Sequence, residues 1–129
     1  MDDFNLHNKS IFVAGHNGMV GSAICRQLKK FEIEILTAEK TELDLTDKNA
    51  VSAWMSKKKP KAVILAAARV GGIVANNSYP VEFLLENLKI QTNVIENAWK
   101  FNTKRFLFLG SSCIYPKFSE QPIKEDYLL

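Results

Sequence analysis

Disulfide scaffolding and thiolate metal centres are both out of reach of a chain with only two cysteines, Cys25 and Cys113, far apart in sequence and in no ligand spacing. No metal site is expected, and a cysteine-poor chain of this kind suits a reducing cytoplasm. Long hydrophobic runs are missing too. Residues 1–8 are polar and acidic, not the start of a secretory signal, and no apolar stretch approaches a membrane span, so no membrane association is expected. Nor is there a strong excess of charge: 17 Lys and Arg against 14 Asp and Glu leave a net +3, too little to argue for nucleic acid. The basic run Lys57-Lys58-Lys59-Pro60-Lys61 falls between a helical and a strand pattern, where a solvated turn is expected. Internal repeats and low-complexity segments are absent. What remains is globular: at 129 residues and 47% apolar, the chain has the size and composition for one domain, residues 1–129, with a real core.

Glycine is scarce as well, six in all, yet three of them fall in one stretch, Lys9 to Leu28. The apolar run Ile11-Phe12-Val13-Ala14 is long enough for one buried strand. Gly15, Gly18 and Gly21 follow, and the apolar period then becomes helical through Val20, Ala23-Ile24 and Leu28. A strand, a glycine turn and a helix in that order form a cradle for phosphate. Gly15 can take a positive φ without penalty. The bare Gly18 lets backbone approach a ligand, and Gly21 lets the helix pack close on the strand. The free N–H groups and positive dipole end of the helix then favour an anion. The spacing is GxxGxxG where the usual dinucleotide fingerprint is GxGxxG, so the context, not the glycines alone, carries the reading.

Further along, strands are expected at Glu34 to Thr37, Leu43 to Leu45, Lys61 to Ala68 and Arg105 to Leu109. The last two, KAVILAAA and RFLFL, are continuous apolar runs of the kind covered on both faces. A helix capped by Thr46 or Asp47 is expected to run to about Lys58 with Val51, Trp54 and Met55 buried, and Pro60 marks its break. Arg69 to Tyr79 reads as an irregular loop. Pro80 suits the first turn of a long helix to about Lys100, with Phe83, Leu84, Leu88, Val94 and Ala98 inward. Strands alternating with helices imply an α/β domain with a doubly wound parallel sheet, whose ligands bind beyond the carboxyl ends of the strands.

The segments GHNGMVGSAI, AAARVGGIVANNSYP and FLGSSCIYPK resemble the GDP-L-fucose synthases, the GDP-4-keto-6-deoxymannose epimerase/reductases within the extended short-chain dehydrogenase/reductase family. The second and third segments carry the resemblance, because they are not general signatures of cofactor folds. It implies a Rossmann-like NAD(P)-binding domain and a two-step reaction on a nucleotide sugar, epimerisation at C3 and C5 followed by reduction of the C4 ketone by NADPH. It sets Gly15, His16, Asn17, Gly18, Met19, Val20 and Gly21 on the cofactor pyrophosphate, and Asp44 with Leu45 near the adenine. It sets the strand ends Ala66-Ala67-Ala68 and Leu109-Gly110-Ser111-Ser112 beneath the nicotinamide. Ser111 matches the catalytic serine that hydrogen-bonds the substrate's C4 oxygen, although a serine closing a strand–loop turn would look the same. Cys113 matches an acid/base cysteine of the epimerisation, although a small buried filler is the commoner role for cysteine. Asn87 and Asn93 fall where the wider family keeps asparagines, and bridging of neighbouring backbone suits them as well as chemistry. The resemblance also implies a possible homodimer through the long helix, where Trp99 and Phe101 need cover.

Two departures stand out. The fucose synthases are expected to carry a basic residue in the glycine loop for the 2′-phosphate of NADP, and this chain has Asn17 there. Lys40 matches a second basic position and favours NADP, while Glu39 beside it could accept from a free ribose 2′-hydroxyl, leaving NAD possible. The family's catalysis also needs Tyr-x-x-x-Lys. Four residues after Tyr79 stands Phe83, after Tyr115 stands Ser119, and Tyr127 lies two residues from the end. The chain therefore reads as the amino-terminal part of such an enzyme, inactive by itself. The alternatives are a non-catalytic dinucleotide-binding module and another nucleotide-sugar epimerase or dehydratase.

Overall fold

The computed structural model describes residues 5–128; residues 1–4, within the polar start noted above, and residue 129 lie outside the described part. Strand β1 (Ser10–Ala14) pairs in parallel with β2 (Glu34–Leu36) on one side and with β3 (Ala62–Leu65) on the other. β3 pairs in parallel with β4 (Arg105–Phe108), so the order is β2-β1-β3-β4. The chain runs outward from β1 to β2, then back across β1 to β3 and β4. This reversal opens a crevice at the carboxyl ends of β1 and β3.

Alternation along the central strands divides an unbroken apolar run between two cores. Ile11, Val13 and Ala62 face helix α1 (Met19–Leu28), packing with Ile24, Cys25 and Leu28. Phe12, Ala14, Val63 and Leu65 face the other way, onto α2 (Lys48–Lys58) and α4 (Pro80–Lys100), where they join Val51, Met55, Ile90, Val94 and Ala98. Trp54 completes this layer with its ring centroid 4.3 Å from that of Phe12. The doubly wound parallel sheet is as the alternation of strands and helices implied. Asp47, one of the two expected caps, opens α2: its carboxylate accepts from Asn49 N at 2.8 Å and Ala50 N at 3.1 Å. Pro80 occupies the first turn of α4, as its fixed φ favours.

Five local expectations fail. Leu43 to Leu45 is no strand: Asp44 Oδ1 accepts from Thr46 N at 2.9 Å and Thr46 Oγ1 at 2.8 Å, folding the segment into a turn that leaves only Leu43 buried. The third β-strand of the chain is therefore the KAVILAAA segment, and it stops at Leu65, so that Ala66 to Ala68 are loop. Within Arg69 to Tyr79 lies a short helix, α3 (Ile73–Ser78), held at its start by Asn76 Nδ2 donating to Gly71 O and Gly72 O. RFLFL is not covered on both faces. β4 is paired on one side only among the described residues, and α1 does not reach over it, so Leu107 stays half exposed; Phe106 packs on the α4 side, and Phe108, on that same face at the strand's end, is half exposed as well. On α4 itself Val94 and Ala98 are buried as expected, but Leu84 and Leu88 are exposed on its outer side.

Candidate functional site

The glycine turn is built as its spacing requires. Gly15 sits at φ +86°, and a Cβ there would lie 2.7 Å from Ala67 N and 2.8 Å from Ala66 O, so both backbone freedom and space demand glycine. Gly18 N donates to Gly15 O at 3.0 Å, closing the turn, and Gly18 caps α1 without a side chain. At Gly21 a Cβ would lie 2.1 Å from Gly15 O, so α1 rests directly on the turn. Gly18 differs: a Cβ there meets only Gly15 O, at 3.3 Å, so the protein alone does not need that glycine. The N–H groups of the first turn of α1 have no intrahelical acceptor, and no acidic residue stands in that turn to compete with an anion.

A cavity of about 720 Å³ opens at this point. Gly15, His16, Asn17, Gly18, Met19 and Val20 form one wall, and Ala66, Ala67 and Ala68 beyond β3 form another. Lys40, Asp44 and Leu45 line the far end, together with Ala38, Glu39, Leu43 and Thr46. All of these except Ala38, Leu43 and Thr46 were anticipated as cofactor contacts, Glu39 as the alternative acceptor for a free ribose hydroxyl. Gly21 does not line the cavity, because it is buried in the packing of α1 on the turn. Leu109, Gly110, Ser111, Ser112 and Cys113 do not line it either. They follow β4, one strand further along the sheet, with Leu109 N donating to Leu65 O at 3.3 Å. In this conformation the Ser111 hydroxyl accepts from Cys113 N at 3.1 Å, capping the short 3-10 turn Ser112–Ile114. Cys113 is exposed, so the buried-filler role does not apply to it.

Residues that sequence patterns did not single out complete the walls. Arg69, Val70, Glu86 and Ile90 line the end of the cavity away from Lys40, with the Arg69 guanidinium paired to the Glu86 carboxylate and stacked 5.0 Å over the Phe83 ring. Asn87, beside Glu86, supplies the reason that this loop is ordered: its Oδ1 accepts from Arg69 N at 2.8 Å, and its Nδ2 donates to Arg69 O at 3.0 Å. Asn93 Nδ2 likewise donates to Leu45 O at 3.0 Å, tying the far end of the cavity to α4. Both asparagines bridge backbone, one of the two roles considered for them, and the segments they bridge are loops.

The far end of the cavity is ionic. Asn17 Nδ2 donates to both oxygens of Glu39, at 3.0 and 2.8 Å, and His16 Nε2 lies 3.2 Å from Oε1. These bonds, the one from Asn17 foremost, hold the Glu39 carboxyl below its ordinary value. The Asp44 carboxyl is held low by the donation from Thr46 N, then by that from Thr46 Oγ1. No group of His, Cys, Asp and Glu suited to a metal ion occurs among the described residues, and no helix there is long and apolar enough to cross a membrane.

Comparison with known proteins agrees with this geometry. The chain is 50% identical, over its full 129 residues, to a GDP-L-fucose synthase of Sinorhizobium fredii, and spans 41% of that relative's length. Over 92% of the chain it is 57% identical to GDP-L-fucose synthase 1 of Arabidopsis thaliana, of which it spans 37%. Among solved structures, the GDP-mannoheptose C4 reductase of Campylobacter jejuni with NADP bound superposes on 94% of the chain with a TM-score of 0.88 at 38% identity, the match taking up 38% of that structure. The NAD dependent epimerase/dehydratase family model matches residues 11–129, from the first strand onward, and a match of that extent shows that this chain belongs to that family.

Proposed function

We propose that the chain is the cofactor-binding part of an NADPH-dependent epimerase/reductase that converts GDP-4-keto-6-deoxymannose to GDP-L-fucose. The observation that carries this is the cavity rimmed by the glycine turn at the carboxyl ends of β1 and β3, in a chain half identical to a fucose synthase along its whole length. The residues fit a dinucleotide. Gly15 holds the positive φ of the turn, and Gly18 leaves the wall bare where a pyrophosphate would approach. The first-turn N–H groups of α1 would hold that pyrophosphate. Asp44 and Leu45 would border the adenine and Lys40 the 2′-phosphate, while Ala66 to Ala68 and Leu109 to Ser112 would lie beneath the nicotinamide. NADPH, when bound, supplies the hydride for the C4 ketone. Ser111 would donate a hydrogen bond to the C4 oxygen as charge develops there, and Cys113 would exchange protons at the epimerised carbons. A cytoplasmic location belongs to the same reading, since Cys25 and Cys113 are both free.

The reading is tested by calorimetry with NADPH and NADH side by side. Both are expected to bind, NADPH the more tightly by a modest margin that shrinks with added salt, because a single exposed cation, Lys40, discriminates between them. Absence of binding by either dinucleotide would overturn the cofactor assignment. Equal affinities, or a Lys40→Ala variant with unchanged preference, would remove Lys40 from the site.

Self-association is expected as well. Leu84, Leu88, Ile95 and Trp99 are all exposed and share one face of α4 at helical spacing, so that face is an apolar stripe without cover among the described residues. Light scattering at increasing concentration is expected to read a mass above that of one chain. A strict monomer at high concentration would count against the homodimer.

A further inference from the structure

We propose that Glu39 is the residue that limits discrimination between phosphorylated and unphosphorylated dinucleotides in this site, which rests on the cofactor reading above. The acidic residue that follows the second strand of such a fold meets the adenosine ribose, where a carboxylate accepts from a free 2′-hydroxyl. Here that carboxylate is already placed. Asn17, in the glycine turn, holds both of its oxygens, and His16 approaches one of them, so it is anchored in the lining at the far end of the cavity. The ionisable groups lining the whole cavity are His16, Glu39, Lys40, Asp44, Arg69 and Glu86. Arg69 and Glu86 pair with one another at the opposite end. The ribose end is left with two carboxylates, Glu39 and Asp44, the imidazole of His16 beside Glu39, and the single ammonium of Lys40.

A 2′-phosphate carries between one and two negative charges and brings no donor for a carboxylate, whereas a 2′-hydroxyl does. Lys40 therefore draws NADPH in while Glu39 opposes it. Asn17 itself is uncharged, so the glycine turn brings no cation of its own to offset the acid that its amide fixes. A unit-charge repulsion across about 4–5 Å in water-like screening corresponds to roughly a fivefold change in affinity, and the phosphate's fractional second charge raises this toward about tenfold.

The test uses the 129-residue chain, its Glu39→Gln and Glu39→Ala variants, and calorimetric titration with NADPH and with NADH at low and high salt. Glu39 is exposed, so neither variant should unfold the chain. Glu39→Gln, which keeps an acceptor for Asn17, is expected to tighten NADPH about tenfold and to leave NADH within about threefold, with most of the gain lost in high salt. Glu39→Ala is expected to tighten NADPH and weaken NADH. An NADPH-to-NADH ratio that does not move in Glu39→Gln, or a ratio change indifferent to salt, would overturn the proposal while leaving the cofactor site intact. No binding of either dinucleotide by the parent chain and both variants would remove the site, and the proposal with it.

Discussion

Gly21→Ala is expected to destabilise the chain by roughly 3 kcal/mol or more, whereas Gly18→Val is expected to leave the fold nearly as stable and to abolish binding of both dinucleotides. The two glycines stand three residues apart in one turn, and the difference lies in what surrounds them. An added methyl at Gly21 would lie 2.1 Å from a carbonyl oxygen and 2.9 Å from His16 Cα, both backbone atoms of the turn on which α1 rests. No side-chain rearrangement relieves that overlap, so the helix must lift off β1 and take Ile24, Cys25 and Leu28 with it. At Gly18 the backbone is extended, with φ −71° and ψ 166°, which a branched residue adopts readily, and the Cβ has one neighbour at 3.3 Å. The cost there is that of a poor helix cap, about 1 kcal/mol. The valine methyl groups instead project into the approach of a pyrophosphate. Thermal unfolding should show a drop of about 10 °C or more for Gly21→Ala and only a few degrees for Gly18→Val. Calorimetry should then find no binding by folded Gly18→Val. Retained binding would sink the cradle assignment, and an unchanged melting temperature in Gly21→Ala would contradict the packing of α1 on the turn.

These 129 residues are also expected to bind NADPH without turning over sugar. Reducing a C4 ketone requires a proton donor beside the carbonyl oxygen as hydride arrives. No tyrosine of the chain is followed four residues later by a lysine, and the Ser111 hydroxyl is a poor acid that accepts a hydrogen bond from Cys113 N. A missing general acid costs on the order of 10²–10⁴-fold. The curated relatives are more than twice as long as the match, and lost positioning of the sugar would add several kcal/mol to the barrier. Together these put turnover below detection. The check is to incubate the chain with NADPH and GDP-4-keto-6-deoxymannose and follow absorbance at the nicotinamide band. Steady oxidation that disappears in Ser111→Ala would show that the chain is an enzyme by itself.

How much of this could be read from residues alone depended on the range of the forces involved. The glycine turn, the Asp47 cap and the Pro80 start are local, set by φ preference and hydrogen bonds within a few residues, and all three were legible. Leu43 to Leu45 was misread because alternation over three residues is satisfied equally by one buried leucine in a turn, and Asp44 bonding to Thr46 decides for the turn. RFLFL has the composition of a covered strand, but composition does not tell how far neighbouring helices reach. Glu39 was visible beside Lys40, yet its partnership with Asn17 joins residues 22 apart and arises only when the sheet brings two loops together. The same holds for Arg69 with Glu86, on a loop and a helix that share no sequence pattern.

All the ladders of this sheet are parallel, and that governs how the molecule can form. A two-residue hairpin cannot join parallel strands, so none of them is nucleated locally. Ile11 finds Ala62 about fifty residues away, and Ala62 finds Arg105 about forty residues further on. Each closure orders a long segment of chain before any ladder bond rewards it, which raises contact order and slows folding. On the ribosome, β1 must leave the exit tunnel and wait for β3, with Ile11, Phe12 and Val13 lacking their later cover. Helices as short as α1 and α2, of 10 and 11 residues, are marginal by themselves in water, so their packing too depends on the strands that they cover.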